Sequence, residues 1–135
     1  MTREPLSVIS SYWDRRPVPI EEIISELGLE FARANLNDNI SGYIERMSDG
    51  NYRIVVNANH PPTRQRFTAA HELGHYIYHR DLLGDGVGDN RAYRAEGTQR
   101  PNPYIRPQHE QQANSFAANV LMPRHALVNV DGRST

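Results

Sequence analysis

The strongest constraint on the fold is a segment in which a helical apolar pattern coincides with two histidines four residues apart. Apolar residues recur at helical spacing over about residues 64–80, which predicts one long helix there. This helix contains Ala70-His71-Glu72-Leu73-Gly74-His75-Tyr76, in which His71 and His75 occupy positions i and i+4. Such positions share one helix face and lie about 6 Å apart along the axis. Two imidazoles at this spacing can converge on one metal ion.

Upstream of this helix, the sequence predicts a short helix and three strands. Apolar residues at helical spacing cover residues 20–27, and Gly28 is a natural helix end. Residues 29–36 are a weak predicted strand, and better strand patterns at 41–47 and 52–57 are joined by an Asp-Gly turn. We expect the strand at 52–57 to be an edge strand that borders a cleft and can pair with an extended polypeptide backbone.

Prolines delimit the elements of the second half of the chain. Pro61-Pro62 precedes the histidine-bearing helix, with Thr63 as its predicted N-cap. Residues 81–106 are rich in Gly, Asp, Asn, Arg and Pro with little periodicity, and they are predicted to form a long loop. A final helix is predicted over 107–121, with Pro123 marking its end. These elements predict an α+β fold.

The composition excludes several classes of function. Fifteen Lys and Arg against 16 Asp and Glu give a net charge of -1, so no direct contact with nucleic acid is predicted. The absence of cysteine excludes a disulfide scaffold, a cysteine zinc site and a cysteine nucleophile. No apolar run approaches the ~20 residues of a membrane span, and the first residues do not resemble a signal peptide. We therefore expect one domain over residues 1–135, located in the cytoplasm, with no membrane partner.

Glu72 adds a chemical role to the histidine pair. A glutamate at this position of an H-E-x-x-H helix can accept a proton from a zinc-activated water and pass it to a leaving amine. The simpler alternative is that His71 and His75 are ordinary core histidines. Their position beside Ala70 and Gly74 favours zinc, because a buried imidazole without a partner is costly. Gly74 also lowers helix stability by about 1 kcal/mol relative to alanine, which indicates the close approach of another backbone.

A catalytic zinc needs a third protein ligand, and two residues compete for this role. Asp81 lies six residues after His75, at the offset used by metzincins, but their motif needs a glycine where Tyr78 stands. Glu110 shares the apolar face of the final helix with Ala113, and a carboxylate in such a stripe needs a partner. The alternative for Glu110 is a favourable charge near a helix N-terminus. The spacing favours Glu110 as the ligand.

Other side chains are weaker candidates. Asn114, one turn beyond Glu110, is predicted to hold a ligating histidine through a hydrogen bond. His79 continues the i, i+4 series, but it lies about 12 Å from His71 along the axis, so either a supporting role behind the ligands or a role at the helix end is predicted for it. Tyrosine hydroxyls could stabilise an oxyanion, and three further histidines are candidates only by residue type. These residues are Tyr76, Tyr78 and Tyr104, and His60, His109 and His125.

The paired segments together resemble the ImmA/IrrE family of zinc metallopeptidases. The resemblance runs from Arg64-Gln65-Arg66-Phe67-Thr68-Ala69-Ala70 into the H-E-x-x-H segment, resumes at Glu110-Gln111-Gln112-Ala113-Asn114-Ser115-Phe116-Ala117, and ends at Leu121-Met122-Pro123. It also includes Ser41-Gly42, Val56-Asn57 and the short helix from Pro19 to Gly28. In total it covers about residues 17–125.

This resemblance implies a minimal zincin-like fold of the gluzincin type. A small twisted sheet of antiparallel or mixed strands would pack on the active-site helix, and a second helix would carry the third ligand. The resemblance implies that His71, His75 and Glu110 hold Zn²⁺ and that Glu72 is the catalytic glutamate of a peptide-bond hydrolase. It also implies a protein partner, either a helix-turn-helix transcriptional regulator that is cleaved or the antitoxin of a toxin–antitoxin pair.

The rival hypothesis is a non-proteolytic regulatory protein that keeps zinc for structure or sensing and acts by binding its partner. An intact Glu72 favours catalysis, because a structural zinc site has no use for it. A structural protein with a chance motif is a third hypothesis, and it predicts no bound metal. The chain stops soon after Pro123, where many relatives continue, so it is interpreted as a minimal member, a subunit completed by a partner, or a fragment.

Overall fold

The computed structural model describes residues 5–11, 18–84, 86–88, 92–95, 98–102 and 104–121. The helices in these ranges are α1 (Pro5–Ser11), α2 (Ile20–Glu26), α3 (Pro62–Tyr78), α4 (Arg80–Leu83) and α5 (Pro107–Leu121). The strands are β1 (Glu30–Ala34), β2 (Gly42–Arg46), β3 (Tyr52–Asn57), β4 (Gly86–Gly88), β5 (Ala92–Ala95) and β6 (Thr98–Pro101). The predicted α+β class is confirmed.

The main sheet has four strands in the order β1-β3-β2-β4. β3 is parallel to β1 and antiparallel to β2, so Ile54 stands between Phe31 and Ile44. β4 continues the sheet on the other side of β2. The prediction that the strand at 52–57 is an edge strand is therefore wrong. Residues from Ile54 to Asn57 are all buried, as expected for a central strand, and both backbone edges of β3 are occupied by neighbouring strands.

The histidine-bearing helix α3 lies at the centre of the packing. It contacts β2 and β3 as well as α5, and its middle, from Thr68 to Gly74, is buried at every position except His71. Leu73 is fully buried in a core that also contains Ile44, Ile54 and Phe116. Because α3 is enclosed by the sheet and by α5, polar side chains on its inner faces must find partners within the protein.

Gly74 lies where α3 packs against α5. A Cβ atom built at Gly74 would be 3.3 Å from the Cα of Ala113 and 3.0 Å from the Cδ2 of Phe116. The predicted close approach of another backbone is therefore confirmed. Together, Gly74 and Ala113 let the two helix axes come near each other, and this places the first turn of α5 beside the histidines of α3.

Two local predictions need correction. Residues 81–106 are not one loop, because α4, β4 and the β5–β6 hairpin occupy much of that range. These elements are only three or four residues long, which is too short for periodicity to identify them. α3 begins at Pro62 with Pro61 as its N-cap residue and no side-chain cap, so Thr63 lies in the first turn. Proline suits the first helical position because its fixed φ is already helical.

Some predictions concern residues outside the described ranges, namely the helix end at Pro123 and the candidate His125. Among the described helices the longest has 17 residues, and none combines the length and the apolar character that a membrane span needs.

Candidate metal centre

His71, His75 and Glu110 come together where α3 passes α5. The Nε2 atom of His71 lies 3.0 Å from Oε1 of Glu110, and Nε2 of His75 lies 3.1 Å from the same oxygen. One ligand atom from each of these three side chains lies within 4.8 Å of the other two. The side chain of His75 is 1% exposed, whereas those of His71 and Glu110 are 16% and 25% exposed. The cluster is therefore enclosed on the His75 side and accessible on the other.

The charges of this cluster are coupled. Burial alone would raise the pKa of Glu110, but its hydrogen bonds with His71 and His75 outweigh burial and lower the pKa to about 2. Burial opposes the charge of His71, but the contact with Glu110 and the nearby charge of Glu72 raise its pKa to about 9. At His75 burial prevails and lowers the pKa. Glu110 is thus an anion near neutral pH, and His75 is a neutral ring.

The donor set fits a divalent metal ion. Two imidazole nitrogens and one carboxylate are a ligand set of catalytic zinc sites. Donor atoms of a tetrahedral zinc lie about 3.3 Å from each other, close to the two distances between the imidazole nitrogens and Oε1 of Glu110. The second carboxylate oxygen of Glu110, Oε2, is buried without a hydrogen-bond partner among the described residues. A buried carboxylate oxygen is costly unless a cation or a donor faces it, and a metal ion at the cluster would do so.

Side chains behind the cluster hold the two histidines. The Oδ1 atom of Asn114 lies 2.8 Å from Nδ1 of His71, on the side of the ring away from Glu110. His79 lies 3.0 Å from His75, Nδ1 to Nδ1, and its Nε2 lies 2.6 Å from Oε1 of Gln112. The predicted supporting positions of Asn114 and His79 thus have a geometric basis. Gln112 was missed by the sequence reasoning, although it stands four residues before Phe116 and therefore on the face of α5 that turns towards α3.

Glu72 lies beside the cluster and is almost completely enclosed. Its residue is 1% exposed, and its charge acts on His71. Burying a carboxylate on a helix that also packs against the core costs free energy. A role as a solvated surface charge therefore does not account for the position of Glu72. Its position between the two histidines in sequence and beside them in space suits a proton acceptor at the site.

The competing ligand candidate Asp81 is exposed on α4 and does not belong to the cluster. His109 accepts a hydrogen bond at Nδ1 from the backbone N–H of Arg106, at 2.9 Å, and its ring lies 4.7 Å from that of His79. His60 is buried away from the cluster, with Nε2 2.9 Å from the carbonyl oxygen of Asp38.

The three tyrosines differ in their surroundings. Tyr76 packs its ring against Tyr52, and Arg80 lies over its face at 4.1 Å. Tyr78 and Tyr104 are 52% and 66% exposed. The proposed role of these hydroxyls at an oxyanion stays a prediction for all three.

A small α+β domain in which one helix supplies H-E-x-x-H and a second helix supplies a carboxylate beside both histidines is a zincin-like domain. The family model of the IrrE N-terminal-like domain, which defines a peptidase family, matches residues 25–134 and so includes the whole cluster. The chain belongs to this family, as the sequence resemblance predicts. No curated protein matches the chain at a significant level.

Proposed function

We propose that this protein is a zinc-dependent endopeptidase whose active site is the cluster of His71, His75 and Glu110 together with Glu72. The observation that carries the proposal is the convergence of two imidazole nitrogens on one carboxylate oxygen, at 3.0 and 3.1 Å, beside a second carboxylate that is almost fully buried. Membership of a peptidase family supports the same conclusion.

The roles of the residues follow from their positions. A zinc ion held by His71, His75 and Glu110 would polarise the scissile carbonyl and make a water molecule more acidic. Glu72 accepts the proton of that water on its carboxylate and returns it to the nitrogen of the leaving amine. Because Glu72 is enclosed, the proton it holds is shielded from bulk water and stays available to the substrate. Asn114 restrains the ring of His71 so that Nε2 keeps facing the cluster.

The substrate we propose is a protein, specifically a helix-turn-helix transcriptional regulator or an antitoxin that works with this chain. The support for this choice is the resemblance to the ImmA/IrrE family. The partial exposure of His71 and Glu110 is compatible with a polypeptide substrate, because it leaves one side of the cluster open to a chain lying across it.

The test is to incubate the zinc-loaded protein with the regulator encoded beside it and to follow cleavage by mass spectrometry. The Glu72→Gln variant should bind zinc as the wild type does and should cleave at least about 100-fold more slowly, the usual size of a lost general acid–base. Glu30→Gln is the matched control, since Glu30 is an exposed carboxylate at the start of β1. It should leave zinc binding and cleavage unchanged.

The outcomes separate the competing functions. Cleavage that a chelator blocks and zinc restores supports the peptidase. A stable, uncut complex with the regulator at full zinc occupancy would instead support the non-proteolytic binding role. Less than about one zinc in ten chains after loading would identify the motif as fortuitous. Cleavage by Glu72→Gln at the wild-type rate would refute the proposed mechanism.

A further inference from the structure

We propose that Phe67 is a specificity-determining residue, whose phenyl ring receives a large apolar side chain of the substrate next to the scissile peptide bond. This inference rests on the metal site of the proposed function and adds the kind of substrate residue that the site selects. It begins from the position of Phe67 on α3, four residues before His71. Residues four apart lie on the same face of a helix, so the phenyl ring stands beside a candidate metal ligand.

The phenyl ring of Phe67 lies next to the imidazole ring of His71. The ring centroids are 6.5 Å apart and the ring planes are inclined by 31°, which is within the range in which aromatic rings attract each other. The imidazole is itself held by Oδ1 of Asn114 and lies 3.0 Å from Oε1 of Glu110. The phenyl ring therefore stands at a defined distance from the atoms that would hold a metal ion.

Phe67 lies at the open end of the cluster. The side chains of His71 and Glu110 are partly exposed, whereas that of His75 is buried. Along α3, Phe67 comes one turn before His71 and two turns before His75, so it continues the row of rings towards the accessible side. A polypeptide that reaches a metal ion at the cluster from this side must therefore pass along the phenyl ring.

The ring of Phe67 does not belong to the hydrophobic core. Its residue is 37% exposed, whereas the next three residues of α3, 68–70, are buried. Leu73 and Phe116 are the large side chains that pack into the core from α3 and α5. Single exposed apolar side chains are common on protein surfaces, but this one adjoins the candidate metal centre. A ligand that covers it there gains free energy, because apolar surface is removed from water.

The chemistry of a phenyl ring defines the side chain that it favours. The ring of Phe67 has no conventional hydrogen-bond donor or acceptor, so it does not compensate a charged or amide side chain for the loss of water. A branched aliphatic or an aromatic side chain loses no hydrogen bond to water and gains packing against the ring. The substrate residue that lies on Phe67 is therefore expected to be large and apolar.

The experiment measures the binding of zinc-chelating hydroxamates to the zinc-loaded protein, so that it does not depend on cleavage. The probes are acetohydroxamate and two otherwise identical peptide hydroxamates that carry a methyl or an isobutyl side chain beside the chelating group. The wild type should bind the isobutyl probe about tenfold more tightly than the methyl probe. Phe67→Ala should reduce this ratio to about twofold or less, and Phe67→Leu, which keeps an apolar surface, should retain most of it.

Leu6→Ala is the matched control, because Leu6 is another exposed apolar side chain and belongs to α1. It should leave the ratio unchanged. Zinc affinity, measured in each variant by competition with a chromophoric chelator, should equal that of the wild type, and so should the affinity for acetohydroxamate, which has no side chain to place on the ring.

The outcomes distinguish this proposal from the proposed function. A wild type that binds zinc but does not discriminate between the methyl and isobutyl probes would overturn the role of Phe67 alone. A preference that survives in Phe67→Ala would overturn it too, as would an equal loss of affinity for all three probes, since the ring would then support the site without selecting a side chain. A wild type that binds no zinc, measured before any probe is added, would refute the proposed function and this inference with it.

Discussion

Replacement of Gly74 by alanine should separate α3 from α5 and weaken the metal centre without touching any ligand. The added methyl group would lie 3.0 Å from Cδ2 of Phe116 and 3.3 Å from Cα of Ala113. Ordinary contacts between carbon atoms begin at about 3.5 Å, so the neighbours must move by a few tenths of an ångström. The ring of Phe116 can turn, but the contact with Ala113 involves backbone, and only a shift of α5 itself relieves it.

The expected change in stability is a difference between two opposing effects. Overpacking of a tight interface costs about 1–3 kcal/mol, and alanine in place of glycine gains about 1 kcal/mol of helix propensity. The free energy of unfolding should therefore fall by roughly 1 kcal/mol, or about 3–5 °C in Tm for a domain of this size. Glu110 lies one turn before Ala113, so the same shift moves its carboxylate away from His71 and His75. Metal distances tolerate only about 0.2 Å, and we expect zinc affinity to fall about tenfold.

The assay combines urea unfolding of the metal-free protein with chelator competition for zinc. Ala118→Gly, at an exposed position of α5, calibrates the propensity effect alone and should cost about 1 kcal/mol. Phe116→Leu removes the closest contact of the new methyl group, so Gly74→Ala should cost less in that background. A Gly74→Ala protein that is about 1 kcal/mol more stable than the wild type and binds zinc equally well would refute this reasoning.

Two further predictions concern the charges of the cluster. Because the pKa of Glu110 is lowered to about 2, its contribution to stability is complete above its ordinary value of 4.5 and is lost as the pH falls towards 2. Because the pKa of His71 is raised to about 9, its contribution is complete below its ordinary value of 6.5 and is lost as the pH rises through 9. The Tm of the metal-free protein should therefore decline between pH 6.5 and 9, whereas the increase in Tm caused by zinc should grow over that range, since zinc competes with the proton on His71. A metal-free Tm that stays constant over this range would contradict the assignment. In Glu110→Gln, the pKa of His71 measured by NMR should drop well below 9, and zinc binding should be lost; an unchanged His71 titration would show that Glu110 is not its partner.

Much of the site could be predicted because its residues follow the period of a single helix. His71 and His75 share a face by their spacing alone, and Glu110 shares the stripe of Ala113 on α5. Helical periodicity also placed α5 correctly, since its apolar residues recur at helical spacing from Ala113 to Leu121. The choice between Glu110 and Asp81 rested on a weaker argument, and only the packing of α5 on α3 shows that Glu110 reaches both histidines.

Strand pairing was the weaker part of the prediction. The apolar pattern of β3 predicts a buried strand. It does not indicate whether β1 pairs with the edge of β3 that lies opposite β2. The turn between β2 and β3 suggested a simple hairpin, and the parallel pairing with β1 turned the expected edge into the centre of the sheet. Gln112 was missed for a related reason: its contact is with the side chain of His79, the residue that follows α3, and no periodicity within α5 indicates that contact.

Packing and chemistry are tightly linked in this domain, because the same helix pair provides both. Gly74 and Ala113 set the separation of α3 and α5. One turn away, the same separation brings Oε1 of Glu110 to 3.0 and 3.1 Å from the Nε2 atoms of His71 and His75. Phe116 packs beside Gly74 at the contact between the two helices. It lies one turn beyond Gln112, whose Oε1 contacts His79. A substitution in the α3–α5 interface should therefore change zinc affinity in proportion to its effect on helix separation. Substitutions of similar cost in the sheet, at Ile44 for example, should lower stability while leaving the affinity of the folded protein nearly unchanged.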